Sequence, residues 1–230
     1  MSSSSGSPTA DERQAQDPDA RVLEFAARRF GQAIRVATPD DLGAMAHIHA
    51  TSGTPGLLSD LGEGFLRDVF YGGLLASSLG KALVIEIDGK VAGFVTYSQD
   101  SGRLFSEIFR RRIVRTLLAL ARASVRKPRV LLDFAQTVFA VGKAGEGWNI
   151  LPESVSLEIA PAYQGFGLGF VLLQAAVTNL RAAGATRIKA RILADNRAVE
   201  RLYPPLGFHR RATFRLHGRE WVLMVYGDAN

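Results

Sequence analysis

The hydrophobic pattern along the chain switches between two periods. Residues 33–37, 83–87, 91–97, 155–159, 187–193, 208–216 and 220–226 form short runs bounded by Gly, Pro, Asp or Asn, which predicts strands. In 20–30, 38–51, 61–79, 104–125, 130–141, 170–183 and 196–203 the apolar positions recur every three or four residues, which predicts helices. Asp88-Gly89 sits between two apolar runs and marks a tight hairpin. Thr38-Pro39-Asp40-Asp41 reads as a helix start, with a capping hydroxyl, a proline in the first turn and acids near the positive end. Lys127-Pro128 and Pro204-Pro205 read as stops, and Gly184 as a helix end. Loops rich in glycine fall at 52–60 and 142–149. The order is β, α, α, β, β, insert, β, α, β, α, β, β. It predicts an α/β fold of the α+β type, with a mixed, largely antiparallel central sheet flanked by helices.

Composition fills in the surroundings. The chain has 230 residues, 47% apolar and 22% charged, enough for a sizeable core. With no cysteine, disulfides and thiol catalysis are excluded. No apolar run approaches the ~20 residues of a membrane span. Residues 1–19 are poor in bulky side chains and rich in Ser, Pro, Asp and Gln, so a disordered tail is expected, without the apolar centre of a signal peptide. The remainder, 20–230, reads as one domain with a helical insert at about 100–150. A cytoplasmic protein is expected. The net charge of +6 is unevenly placed: between Arg103 and Arg129 nine basic residues face one acid, Glu107, a local +8. That leaves the rest of the chain near −2.

The most informative stretch is VSLEIAPAYQGFGLG, residues 155–169. A strand leads through Pro161 into a loop with Gly165, Gly167 and Gly169, and an apolar helix follows. Glycines there let backbone N–H groups approach a ligand, at a helix start whose dipole favours an anion. The spacing is not that of a dinucleotide loop, because Phe170 stands where its third glycine belongs. Nor does the loop end in the Gly-Lys-Ser/Thr of an ATP-type loop. A second motif lies downstream: Asn196, Ala198-Val199, Tyr203 and Leu206-Gly207-Phe208.

Gln164-x-x-Gly167-x-Gly169, followed by this second motif in order, resembles the GNAT family of N-acetyltransferases. The resemblance covers about 152–226, with a compatible strand, two helices and hairpin over 33–97; residues 1–30 and the helical insert after that hairpin, at about 100–150, lie outside the typical core. It implies acetyl-CoA as acyl donor and no metal. The pyrophosphate would rest on Gln164, Gly165, Phe166, Gly167, Leu168 and Gly169. The thioester would lie along Leu157 and Ile159, with a backbone N–H near Ile159 polarising its carbonyl. Asn196, Ala198 and Tyr203 would complete the cofactor site, Asn196 also serving as a helix cap. Tyr203 is the acid expected to protonate the departing thiolate. Pro204 departs from the family pattern and is expected to push Tyr203 out of the helical region.

For the catalytic base the carboxylates are Glu153 and Glu158. By strand alternation Glu153, Val155, Leu157 and Ile159 share a face and Glu158 takes the other, unless a bulge re-aims it. Glu153 is placed ahead of Glu158. His47 and His49 are two residues apart on a helix, which is not metal spacing; one packed and one exposed is expected, with His49 near the 52–60 loop and the acceptor.

The expected acceptor is a primary amine of a small molecule, such as an amino sugar. The +8 segment would suit one carrying phosphates or an acidic carrier protein. A peptide or protein acceptor is the alternative. A third reading is a non-catalytic binder using the basic segment on nucleic acid or an anionic membrane surface. Nucleic acid is not the expected partner, because Phe105 and Phe109 lie on the apolar stripe as core residues. Homodimerisation stays open.

Overall fold

Asp88 and Gly89 adopt φ of 51° and 71°, the left-handed pair that a two-residue hairpin needs. The computed structural model describes residues 33–53, 56–140 and 149–227. The expected tail at 1–19, the helix at 20–30 and nearly all of the 142–149 loop lie outside the described residues. The turn joins β2 (Gly80–Ile87) to β3 (Lys90–Ser98). Around it a seven-stranded sheet forms in the order β1-β2-β3-β4-β5-β7-β6. The remaining strands are β1 (Ile34–Val36), β4 (Glu153–Ile159), β5 (Ile188–Leu193), β6 (Phe208–Leu216) and β7 (Arg219–Tyr226). Every neighbouring pair is antiparallel except β4–β5.

Helices cover both faces. α1 (Leu42–Thr51) starts where expected: Asp41 accepts from the Thr38 N–H at 2.7 Å and takes a two-point contact from Arg35 at 2.7 and 2.8 Å, tying the helix start to β1. α2 (Leu57–Asp60) is a single turn within the predicted 52–60 loop. The predicted 61–79 helix is α3 (Glu63–Phe65), a π-helical stretch Leu66–Tyr71 and α4 (Gly72–Ala76). These pack with Phe94 of β3 and Leu104 in one core cluster. The other face is closed by α8 (Leu168–Ala182), whose Leu172, Leu173 and Ala176 pack on Ile85, Val95, Ala190 and Phe208. Burial of these aliphatic and aromatic side chains, worth ~1.5–3 kcal/mol each, is what holds helices and sheet together.

The insert corrects one expectation. Instead of one helix over 104–125 there are two, α5 (Ser101–Arg111) and α6 (Ile113–Arg126), followed by α7 (Arg129–Ala140). The break is at Arg112, with φ −121° and ψ 26°. Its guanidinium donates to the backbone carbonyls of Asp68 in the π-helical stretch and, at 3.0 Å, of Gly72 at the start of α4. This distant anchor, with no Gly or Pro nearby, ends the helix. As a result Ile113 and Leu117, which continue the helical spacing of Phe105 and Phe109, are 47% and 56% exposed.

Candidate active site

β4 and β5 run parallel only briefly. They pair at Glu153–Lys189 and Ser154–Ala190 and then separate. The backbone of β4 beyond Ser154 therefore borders a gap where a neighbouring strand would normally be. Ala160 N–H donates to Ala92 of β3 at 2.9 Å. By the alternation of an antiparallel ladder, the N–H groups of Ile159 and Leu157 point the other way, into the gap.

The glycine loop closes one end of the gap. Gly165 and Gly167 have φ of 84° and 79°, values that side-chain-bearing residues rarely adopt. Gly167 caps α8, so the helix begins at Leu168, two residues earlier than the hydrophobic pattern predicts. Among the described residues, the N–H groups of residues 165–169 have no backbone acceptor. A side chain at Gly165 would meet nothing within 4 Å, so its surroundings are open to a ligand. Gly169 does a different job: a Cβ there would come within 3.1 Å of Leu202, so its smallness serves packing. The Gln164 amide donates to the Ile159 carbonyl at 3.1 Å, pinning the loop to the end of β4. Phe166 is exposed and Leu168 is buried.

The second motif faces the gap from β5. Asn196 caps α9 (Arg197–Glu200), accepting from the Val199 N–H at 3.2 Å. Ala198 lies on that helix and is exposed. Tyr203 is buried against Phe208, edge to face at 5.1 Å. The expectation that Pro204 drives it from the helical region is wrong: its φ is −82° and ψ −45°. Its carbonyl accepts from Leu206 and Phe208, and these bonds outweigh the local proline preference. Burial, with the charges of Glu153 and Glu158, pushes the Tyr203 phenol pKa well up, so it keeps its proton.

The face assignment along β4 is also corrected. Ser154 and Ser156 oppose consecutive β3 residues, Tyr97 and Thr96, so Val155 is a bulge. Val155 packs on the α1 side while Leu157 and Ile159 pack on the α8 side. One extra residue thus splits the face that alternation had given to all three. Glu153 and Glu158 are both buried, and both line one cavity of about 220 Å³ together with Tyr203, Asn196 and His49. Their surroundings differ. Glu153 Oε1 accepts from Arg191 Nε at 2.8 Å, with Lys189 Nζ 3.8 Å from Oε2. Two cations surround this one carboxylate. Glu158 lies 3.8 Å from His49 Nδ1, which is itself 2.5 Å from the hydroxyl of buried Tyr71. Burial lowers the His49 pKa to about 4, so that ring is neutral at pH 7. As expected of the histidine pair, His49 is packed and His47 is exposed.

This depressed value has a consequence for stability. The unfolded chain takes up a proton near pH 6.5 that the folded chain refuses until about pH 4. The His49 contribution is thus complete above pH 6.5 and shrinks as pH falls towards 4, by on the order of 3 kcal/mol. Urea-unfolding midpoints of wild type and His49→Gln across that range check this. The wild type should lose more stability on acidification than the variant, and parallel profiles would refute it.

Most of the rest of the cavity wall is apolar, and much of that comes from the insert: Phe105 and Phe109 of α5 and Phe134 of α7, with Leu57, Phe70 and Trp221; Thr137 of α7, His217, Ser59, Ser154 and Ser156 are its further polar members. Phe105 and Phe109, read as core from the sequence, thus line the cavity as well. None of the basic residues between Arg103 and Arg129 lines it; its arginine is Arg191. The sequence carried no sign of Tyr71, Arg191 or Lys189, because each reaches the site from a distant element. Among the described residues no group of His, Asp and Glu has the arrangement of a metal site.

Comparison with known proteins adds three findings. The acetyltransferase (GNAT) family model matches residues 59–208. No curated protein matches the sequence. Solved structures that resemble the fold include yncA from Salmonella typhimurium, solved with its cofactor acetyl-CoA. It has 20% identity and a TM-score of 0.54, with 86% of this chain and 94% of that one covered. A GNAT-family protein from Desulfovibrio desulfuricans has 14% identity and a TM-score of 0.53, covering 84% and 96%. The ribosomal-protein-S18-alanine N-acetyltransferase from Escherichia coli has 19% identity and a TM-score of 0.50, covering 84% and 91%.

Proposed function

The chain belongs to the acetyltransferase (GNAT) family and takes its acyl group from acetyl-CoA, and on that premise we propose that its acceptor is a primary amine of a small molecule with an apolar body. The observation that carries this reading is the cavity between β4 and the insert, walled by Phe105, Phe109 and Phe134 and holding two carboxylates. An apolar wall suits a hydrocarbon or aromatic body, and a buried carboxylate suits an ammonium group. The insert's basic residues lie outside that wall and its arginine, Arg191, is engaged by Glu153, which argues against a phosphate-bearing acceptor.

The residues divide the work. The N–H groups of 165–169, at the start of α8, would hold the pyrophosphate. The gap between β4 and β5 would hold the pantetheine arm, with Asn196 at its border and the N–H groups of Leu157 and Ile159 directed into it. When bound, acetyl-CoA would supply a thioester whose carbonyl carbon a neutral amine attacks, the C–N bond forming and the C–S bond breaking to release the CoA thiolate, while the proton the nitrogen sheds on becoming an amide restores the one Tyr203 gives to that thiolate. Glu158 takes the proton that the acceptor ammonium must lose. We place it ahead of Glu153, reversing the order suggested by sequence, because Glu153 sits between Arg191 and Lys189. That positively charged cluster repels an incoming ammonium. The Tyr203 hydroxyl, kept protonated by burial, stands ready to protonate the departing thiolate.

A panel of amines tests the acceptor class, with release of the free CoA thiol as readout. Arylalkyl and alkyl amines should give saturable turnover, and amino-sugar phosphates and peptides little. Preference for a peptide N-terminus would overturn the small-molecule reading and leave the donor site standing.

A further inference from the structure

α6 turns an apolar face to solvent. Ile113, Val114, Leu117, Leu118 and Val125 are 47%, 66%, 56%, 52% and 85% exposed. At the helical repeat of 3.6 residues per turn, these five and exposed Ala121 fall within an arc of about 140°. The polar residue inside that arc, Ser124, turns its hydroxyl back to the Ala121 carbonyl at 2.8 Å. Thr116, Ala119, Leu120 and Ala123 occupy the opposite arc, where Ala119, Leu120 and Ala123 pack into the core cluster. Arg115, Arg122 and Arg126 form a strip along one edge of the apolar arc. Among the described residues, Arg122 and Arg126 have no carboxylate within ion-pairing distance, whereas neighbouring Lys127 pairs with Asp60 and Arg129 with Asp133. Isolated exposed leucines are ordinary, but a continuous aliphatic face edged by arginines is the pattern of a helix that lies on an interface.

Charge decides between occupants. A second copy seated on the same face would oppose two segments of +8. Nucleic acid would use the arginines but leave the aliphatic face wet, and α6 offers no aromatic ring for base stacking. An anionic bilayer surface satisfies both halves: headgroups take the arginines and the acyl boundary takes the leucines and valines. Among the described residues no helix is long and apolar enough to cross a membrane, so such contact is peripheral. We propose that α6 docks the enzyme on an anionic lipid surface. The observations that carry this are separate from those that define the active site.

Co-sedimentation of the full chain with vesicles tests it. Binding is expected to vesicles of phosphatidylcholine with phosphatidylglycerol, to fall with added salt, and to be weak on phosphatidylcholine alone. Leu117→Gln with Leu118→Gln, and separately Arg122→Glu with Arg126→Glu, should each weaken binding at least about 10-fold. Both double variants change exposed positions, and both should bind acetyl-CoA as wild type does. Equal binding by wild type and both variants, or no binding to the anionic vesicles, overturns the proposal. So does a wild-type dimer that the leucine variant makes monomeric, which would assign the face to a second copy. Binding to duplex DNA that survives the leucine change, without vesicle binding, would assign it to nucleic acid.

Discussion

Glu158→Gln is expected to lower turnover about 100-fold or more while leaving acetyl-CoA affinity within about threefold of wild type. The substitution keeps the shape of the side chain and removes its capacity to take a proton. Glu153→Gln should behave differently. It strips the negative partner from Arg191 and Lys189, which the fold holds at 2.7 and 3.8 Å from the carboxylate. Removing one side of a buried ion cluster costs about 3–5 kcal/mol, so this variant should show itself first as a loss of stability. Steady-state kinetics with thermal unfolding of both variants separate the roles. A large loss of turnover in a stably folded Glu153→Gln, with Glu158→Gln active, would exchange the two assignments.

The contrast between these carboxylates shows where the sequence stops being readable. Short-range signals survive folding well. Asp88-Gly89 makes the hairpin, Thr38–Asp41 starts α1, Asn196 caps α9, and Gly167 takes the left-handed φ that begins α8. Each depends on residues within a few positions of itself. The order of elements along the chain and the family resemblance followed from the same local signals. What was illegible depends on distant partners or on a single inserted residue. The bulge at Val155 has no sequence signature, yet it reverses which face Leu157 and Ile159 share. The break at Arg112 is set by carbonyls some 40 residues earlier. Tyr203 stays helical before a proline because Leu206 and Phe208 bond to its carbonyl. Glu153 could not be known as an ion-paired residue until β5 brought Arg191 and Lys189 beside β4. For the same reason the basic insert looked like a substrate-binding surface. Once folded, its phenylalanines line the cavity while its arginines stay out of that wall.

Gly167→Val is expected to weaken acetyl-CoA binding by about 10-fold or more. At φ 79° a β-branched side chain is strained by ~1–2 kcal/mol. Relief of that strain turns the loop and swings the 165–169 N–H groups out of register with a phosphate. A tenfold change in affinity corresponds to ~1.4 kcal/mol, so the strain is of the right size. Gly184→Val, at φ 92° beyond the other end of α8, imposes similar strain away from the loop. It should lower stability and leave the affinity unchanged. Equal loss of affinity in both variants would mean that the loop acts only through the stability of α8.

The gap between β4 and β5, closed by the 165–169 loop, is the proposed acyl-CoA site. Calorimetric titration of the wild-type chain with acetyl-CoA tests it most directly, with acetyl-pantetheine as the ligand that lacks the pyrophosphate. Saturable one-to-one binding of acetyl-CoA is expected, with much weaker binding of acetyl-pantetheine. No saturable heat with acetyl-CoA, or equal affinity for the two ligands, would contradict it.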